Sequence, residues 1–164
     1  QQRAALYAQL IETELADGEC GAFLLWGDPS LYDSTLRILD RVQARGLTFK
    51  LAVITGISSV QALAARHRIA LNRIGEPVTV LPGRRLAEQV RIDNLVVMLD
   101  GTCAFAALDD PDLHIYWGAY LGTAHEILIS GPLQQVKAQI LQQREQARAR
   151  KGWIMDTYLL RRLL

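Results

Sequence analysis

The run Trp26-Gly27-Asp28-Pro29-Ser30-Leu31-Tyr32-Asp33-Ser34 sets a glycine, a carboxylate and a proline directly after the apolar residues 21–26. Gly27 admits backbone conformations that a side chain forbids, and Pro29 fixes its own dihedral and removes a donor. Such a turn lets main-chain groups approach a small molecule closely, or it simply reverses the chain. For Asp28 the residue type fits equally a ligand contact and a turn in which the carboxylate caps its own backbone. A second turn of the same kind lies in "VITGISSV", where Gly56 follows an apolar run and Ser58 and Ser59 precede an Ala-rich stretch. A serine at a helix start caps free backbone donors, and those donors also face any ligand in the loop. A third locus is Pro82-Gly83-Arg84-Arg85. Its two guanidiniums suit carboxylates, although a solvated loop accounts for them as well. His67, His114 and His125 share no metal-ligand spacing, and Cys20 and Cys103 read as small core thiols. No metal is expected.

These loops need elements to hold them. Residues 21–26 and 51–54 are short apolar runs that read as strands buried on both faces. Each leads through its turn into a helical pattern: Leu36, Ile38, Leu39 and Val42 within 34–45, stopped by Gly46, and the Ala-rich 60–68. Two successive β-loop-α units predict a parallel sheet with right-handed crossovers, both loops opening on one edge, where ligands of open α/β sheets bind. Before them Leu6, Leu10, Ile11 and Leu15 recur at helical spacing. The texture changes at "LNRIGEPVTVLPG", which puts a domain boundary near Gly75. Beyond it, strands are expected at 78–81 and in "NLVVMLD", "LHIYWGAYL" and "AHEILISG". A helical piece is expected at 86–90 and a long helix from Leu133 to about Arg150. Its basic part, "QQREQARARK", reads as an exposed amphipathic face. Closely spaced strands favour hairpins and a mixed sheet in this second α/β domain.

Composition narrows the function. Half of the 164 residues are hydrophobic, ample for a packed core, and 18 Lys and Arg balance 17 Asp and Glu. That near-neutrality gives no reason to expect a nucleic acid or a membrane surface as partner. Since no apolar stretch approaches the roughly 20 residues of a membrane helix, a cytoplasmic location is the default expectation.

In this order, "WGDPSLYDS", "VITGISSVQALAA" and "ISGPL" resemble the tetrapyrrole methylase family, which transfers methyl groups from S-adenosylmethionine (SAM) to precorrins and related compounds. The family reads Gly-Asp-Pro, then Pro-Gly-Ile-Thr-Ala, then Gly-Thr-Leu. Here Thr55 replaces the second proline, and Gly131, Pro132 and Leu133 stand at the last motif. "FLLWGDPSLYDSTLRILDRV" and the C-terminal extension "ARKGWIMDTYLLRR" are similar to one branch, which methylates precorrin-5 at ring carbon 1 with loss of acetate during cobalamin biosynthesis. The resemblance implies that Gly27, Asp28, Pro29, Leu31, Ser58, Ser59, Leu99 (with Met98 as the alternate register) and Gly122 line the SAM pocket. Tyr32, Asp33, Arg84 and Arg85 would face the small-molecule tetrapyrrole. A homodimer is one assembly expected of this chain.

Family members also open with a strand and a Gly-x-Gly-x-Gly-Asp loop, a motif these 164 residues do not contain. The resemblance therefore implies that residues 1–75 are the C-terminal part of a parallel α/β domain and 76–164 a second domain completing the SAM cleft. The strand at 22–26 is then expected to expose apolar side chains, paired with another copy or an upstream segment, and 76–164 to be self-contained. Two other readings stay open: a noncatalytic or incomplete binding domain of this fold, or a methylase of the fold acting on another substrate such as RNA.

Overall fold

The structure, a computed structural model, describes residues 2–162. By backbone proximity the chain divides between Ser58 and Ser59 into two compact units.

The first unit holds helices α1 (Gln2–Glu14) and α2 (Thr35–Gln43). Ala4 of α1 and Ile38 and Val42 of α2 form a small buried cluster, flanked by Tyr7, Ala8, Ile11, Leu47 and Phe49. The helix expected over 34–45 is present because its apolar residues recur on one face, and because the Asp33 carboxylate accepts a hydrogen bond from the Thr35 N–H at 2.6 Å. The strands expected at 22–26 and 51–54 are different. Among the described residues neither joins a ladder, since the unit offers them no partner strand. Their side chains lie open: Leu24 is 96% and Ile54 88% exposed, with Phe23, Trp26, Leu51 and Val53 also exposed.

The second unit is built on a five-stranded sheet in the order β1-β2-β5-β3-β4. Its strands are β1 (Thr79–Pro82), β2 (Asn94–Met98), β3 (Leu113–Ala119), β4 (Ile127–Pro132) and β5 (Asp156–Arg162). β1 and β2 are parallel and the other neighbouring pairs antiparallel, so the expected mixed sheet is present. Helix α4 (Leu133–Lys151) covers one face. There Leu133, Ile140 and Ala147 are buried with Ile115, Trp117, Tyr158 and Leu160. α4 ends where Gly152 takes the left-handed conformation (φ 75°) and returns its N–H to the Arg148 carbonyl at 2.8 Å. Helix α3 (Ser59–His67) packs on β3 and β5, with Val60 and Leu63 buried. That packing is why the compact unit begins at Ser59, earlier than the boundary expected near Gly75.

One element is new. The segment read as a C-terminal extension is β5, the middle strand of the sheet, with Asp156 through Arg161 buried. Most of "QQREQARARK" is exposed, as an amphipathic face requires, but Arg144 departs from it by turning into the core and pairing with Asp156 at 2.9 Å.

Candidate functional site

In the first unit the two Gly-containing turns meet. Gly27 takes φ 86°, as its residue type allows, and Gly56 lies so close that a Cβ on it would come within 2.0 Å of the Gly27 carbonyl oxygen. Asp28 clasps the two turns together. Its Oδ2 accepts the Gly56 N–H at 2.8 Å, while Oδ1 accepts both the N–H of Ser30 at 2.8 Å and the Ser30 hydroxyl. The Ser30 hydroxyl bond first, then the Gly56 and Ser30 amides, hold the Asp28 pKa below its ordinary value. Both carboxylate oxygens are thus engaged by protein. Pro29 is buried and Leu31 half-buried, its N–H on the Asp28 carbonyl at 3.3 Å. Tyr32 is exposed with φ 53°, and Asp33 is taken up by the start of α2. Ser58 is buried beside Gly27, whose added Cβ would lie 3.8 Å from the Ser58 Cα.

In the second unit Ser59 opens α3, and its hydroxyl oxygen accepts from the Thr157 hydroxyl at 2.9 Å. The remaining candidates gather at one edge of the sheet. β1 and β2 run parallel, and β5 is antiparallel to both β2 and β3, so β1, β2 and β3 end on the same side. Arg84 and Arg85 follow β1, Leu99 follows β2, and Gly122 follows β3. Leu99 is 59% exposed with φ 52°, whereas Met98 still pairs in the ladder and is only partly exposed. Arg84 and Arg85 are both exposed, and Arg85 pairs with Glu88 at 2.5 Å. The Gly122 N–H donates to Glu126 Oε2 at 2.9 Å, and the other oxygen of Glu126 meets Arg66 at 2.5 Å. These residues, with Thr123 and Ala124, line an open polar cleft of about 480 Å³.

Under this edge lies a buried polar network that a local reading of the sequence missed. Asp156, the first residue of β5, accepts from Arg144 Nε and from Trp117 Nε1, each at 2.9 Å. Arg144 Nη2 donates to the Asp100 carbonyl at 2.8 Å. The Asp100 carboxylate accepts from the Tyr158 hydroxyl at 2.6 Å, the Ala104 N–H at 2.7 Å, and the N–H and hydroxyl of Thr102 at 3.1 Å. Burial opposes the charge on Arg144, but the hydrogen bond and charge of Asp156 outweigh it and hold the guanidinium pKa above its usual value. Burial first, then Asp100, drive the Tyr158 pKa upward. The one signal available in sequence was position: Arg144 stands four residues after Ile140 and three before Ala147, on the apolar stripe of α4.

Two of the histidines pack against aromatic and backbone neighbours, whereas His125 is exposed. His67 contacts the Trp117 carbonyl at 3.0 Å through Nε2 and stacks edge-on with Tyr116; His114 lies against the same ring. Burial lowers the pKa of both. Among the described residues no group of three or more His, Cys, Asp or Glu is arranged to hold a metal ion, and no helix is long and apolar enough to cross a membrane.

Comparison with known proteins places the chain in a class. Residues 2–137 match the tetrapyrrole (corrin/porphyrin) methylases, and the chain belongs to that family. A curated relative, precorrin-6A synthase [deacetylating] from Sinorhizobium sp, is 55% identical over 164 residues; the match takes in 98% of this chain and 63% of that protein's length. Among solved structures, a cobalamin synthesis related protein (CobF) from Corynebacterium diphtheriae superposes with a TM-score of 0.95 at 44% identity, over 99% of this chain and 70% of that one. A uroporphyrin-III C-methyl transferase from Thermus thermophilus complexed with S-adenyl homocysteine shares the fold at a TM-score of 0.58 and 16% identity, over 82% of this chain and 62% of that one.

Proposed function

We propose that this chain carries out the chemistry of a precorrin-6A synthase: SAM-dependent C-methylation of precorrin-5 at ring carbon 1, with release of acetate to give precorrin-6A, in the cytoplasm. The observation that carries the reading is the 55% identity, across nearly the whole chain, to a protein of that name. Identity at that level favours a precorrin over RNA as substrate, in line with the near-neutral charge.

The local chemistry fits a methyl donor of this kind. SAM supplies an electrophilic methyl on a sulfonium, and the sulfur leaves with its electron pair as the ring carbon bonds to the methyl. Residues 26–34 and 53–60 contain no Lys or Arg that would repel the sulfonium. Gly27 and Gly56 bring bare backbone to the surface of the two turns, and Asp28 fixes their spacing. Gly27, Pro29, Leu31, Ser58 and Ser59 are the first set of donor contacts, and Leu99 and Gly122 the second. Asp28 acts through the turns it joins. Tyr32, Arg84 and Arg85 are assigned to the tetrapyrrole, whose carboxylates suit exposed guanidiniums. Much of the rate can come from orienting the ring carbon in line with the methyl, since in-line displacement depends steeply on geometry. Acetate release consumes one water, which adds to the acetyl carbonyl as its bond to the ring breaks and the electron pair returns to the macrocycle.

The test is to incubate the protein with SAM and precorrin-5 and to quantify S-adenosylhomocysteine and acetate together. Equal amounts of the two support the assignment. Methyl transfer without acetate would remove the substrate assignment while leaving the methylase, and absence of SAM binding by calorimetry would remove both.

A further inference from the structure

The polar network beneath the sheet edge has more structure than the packing of α4 on β5 requires. An ion pair alone would have answered the burial of Arg144, yet its second arm reaches past Asp156 to the Asp100 carbonyl at 2.8 Å. Asp100 is itself buried and is held at both ends, its carbonyl by Arg144 and its carboxylate by Tyr158, Thr102 and Ala104. The residue immediately before it is Leu99, exposed and left-handed at φ 52°. A non-glycine residue in that region is strained by on the order of 1–2 kcal/mol and persists only where its surroundings fix it. Asp100 also reaches the next loop of the same edge. A Cβ on Gly83 would fall 2.5 Å from the Asp100 carboxyl carbon, so the carboxylate packs directly on the backbone that leads into Arg84 and Arg85.

We propose that Asp100, fixed by Arg144 and Tyr158, is a positioning residue for the methyl donor: it imposes the left-handed backbone that presents Leu99 at the sheet edge and seats the Gly83 turn beside it. The inference rests on the reading of Leu99 as a donor contact given above. It assigns β5 a functional purpose, since that strand supplies Asp156 and Tyr158, the residues that orient Arg144 and Asp100. It also explains why one helix face admits a buried arginine, an arrangement that contributes little to stability by itself compared with an apolar residue of similar size.

Two variants of the intact enzyme test it, Asp100→Asn and Tyr158→Phe, each compared with wild type for SAM affinity by calorimetry, for kcat and the KM of SAM, and for thermal unfolding. Asp100→Asn turns one acceptor oxygen into a donor facing other donors, and SAM affinity is expected to fall about tenfold, the equivalent of one hydrogen bond to a charged group. Tyr158→Phe removes a single hydroxyl, and a drop of about threefold is expected. In both, the KM of SAM is expected to rise by the same factor as the affinity falls. A purely structural role would lower the unfolding temperature and leave SAM affinity and KM at wild-type values; that result in Tyr158→Phe overturns the proposal even if Asp100→Asn fails to fold. Failure of the wild-type enzyme to bind SAM overturns the underlying reading, and is distinguished from failure of the inference by the wild-type titration itself.

Discussion

At the level of single residues the clasp between the two turns depends on what is absent as much as on what is present. Gly56 has no tolerance for a side chain, because the Cβ of an alanine would sit 2.0 Å from the Gly27 carbonyl oxygen, a backbone atom with no freedom to swing away. Gly56→Ala is therefore expected to part the two turns, to lengthen or break the Asp28–Gly56 bond and to reduce SAM affinity at least tenfold; calorimetry on the intact enzyme checks it. Asp28 contributes a pH dependence of definite sign. Its pKa is lowered by the Ser30 hydroxyl and the Gly56 and Ser30 amides, so the folded clasp favours the ionised form. Its contribution is fully present above the ordinary carboxylate value of 3.8 and is lost as pH falls through the lowered one. The Gly56 amide proton, which donates to Asp28, should shift with that acid titration in an NMR series. It should cease to do so in Asp28→Asn, and a shift unaffected by the substitution would assign the titration elsewhere.

Among the elements, β5 shows what a local reading of the sequence can reach. The turns at Gly27 and Gly56, α2, α3 and the first four strands of the sheet were legible because glycine, proline and apolar spacing act within a few residues. β5 was not. Its apolar core is short, Tyr158-Leu159-Leu160, and it is bracketed by Asp156 and by Arg161 and Arg162, which look like solvation. Two of those charges are buried because distant residues satisfy them: Arg144 pairs with Asp156, and Arg161 donates to Asn94 Oδ1 at 2.7 Å and to the carbonyls of Ala70 and Leu71. No window along the chain contains such pairs. Parallel reasoning explains the unladdered runs at 22–26 and 51–54, where the apolar pattern of a strand was present and a partner strand among the described residues was not. The energetic consequence can be measured. Leu160 is completely buried, opposite Leu95 on one side and Ile115 on the other, so Leu160→Ala should destabilise the second unit by about 2–5 kcal/mol. Denaturant unfolding followed at Trp117 would report it, and a change under about 0.5 kcal/mol would return this strand to the status of a surface appendage.

For the chain as a whole, the two units differ in how their backbones are satisfied, and this has a dynamic outcome. The second unit carries all five strands, and its core residues Val97, Ile115, Trp117 and Leu160 have no exposed surface. Among its described residues the first unit has two helices, a small cluster around Ala4, Ile38 and Val42, and short apolar runs open to solvent, with Trp26 72% exposed. Local opening is cheapest where backbone amides lack ladder partners and few apolar contacts must be broken. In hydrogen exchange on this 164-residue chain at low concentration, amides of β2, β3 and β5 should therefore be the slowest, opening only with global unfolding, while those of residues 22–26 and 51–54 should exchange orders of magnitude faster. The same exposed runs have the character of surfaces that recruit a further strand or a second copy. Raising the protein concentration separates the possibilities: if copies pair through these runs, protection at 22–26 and 51–54 rises with concentration while that of β5 stays fixed. Protection at 22–26 equal to that of β5 in dilute solution would contradict the open arrangement of these residues.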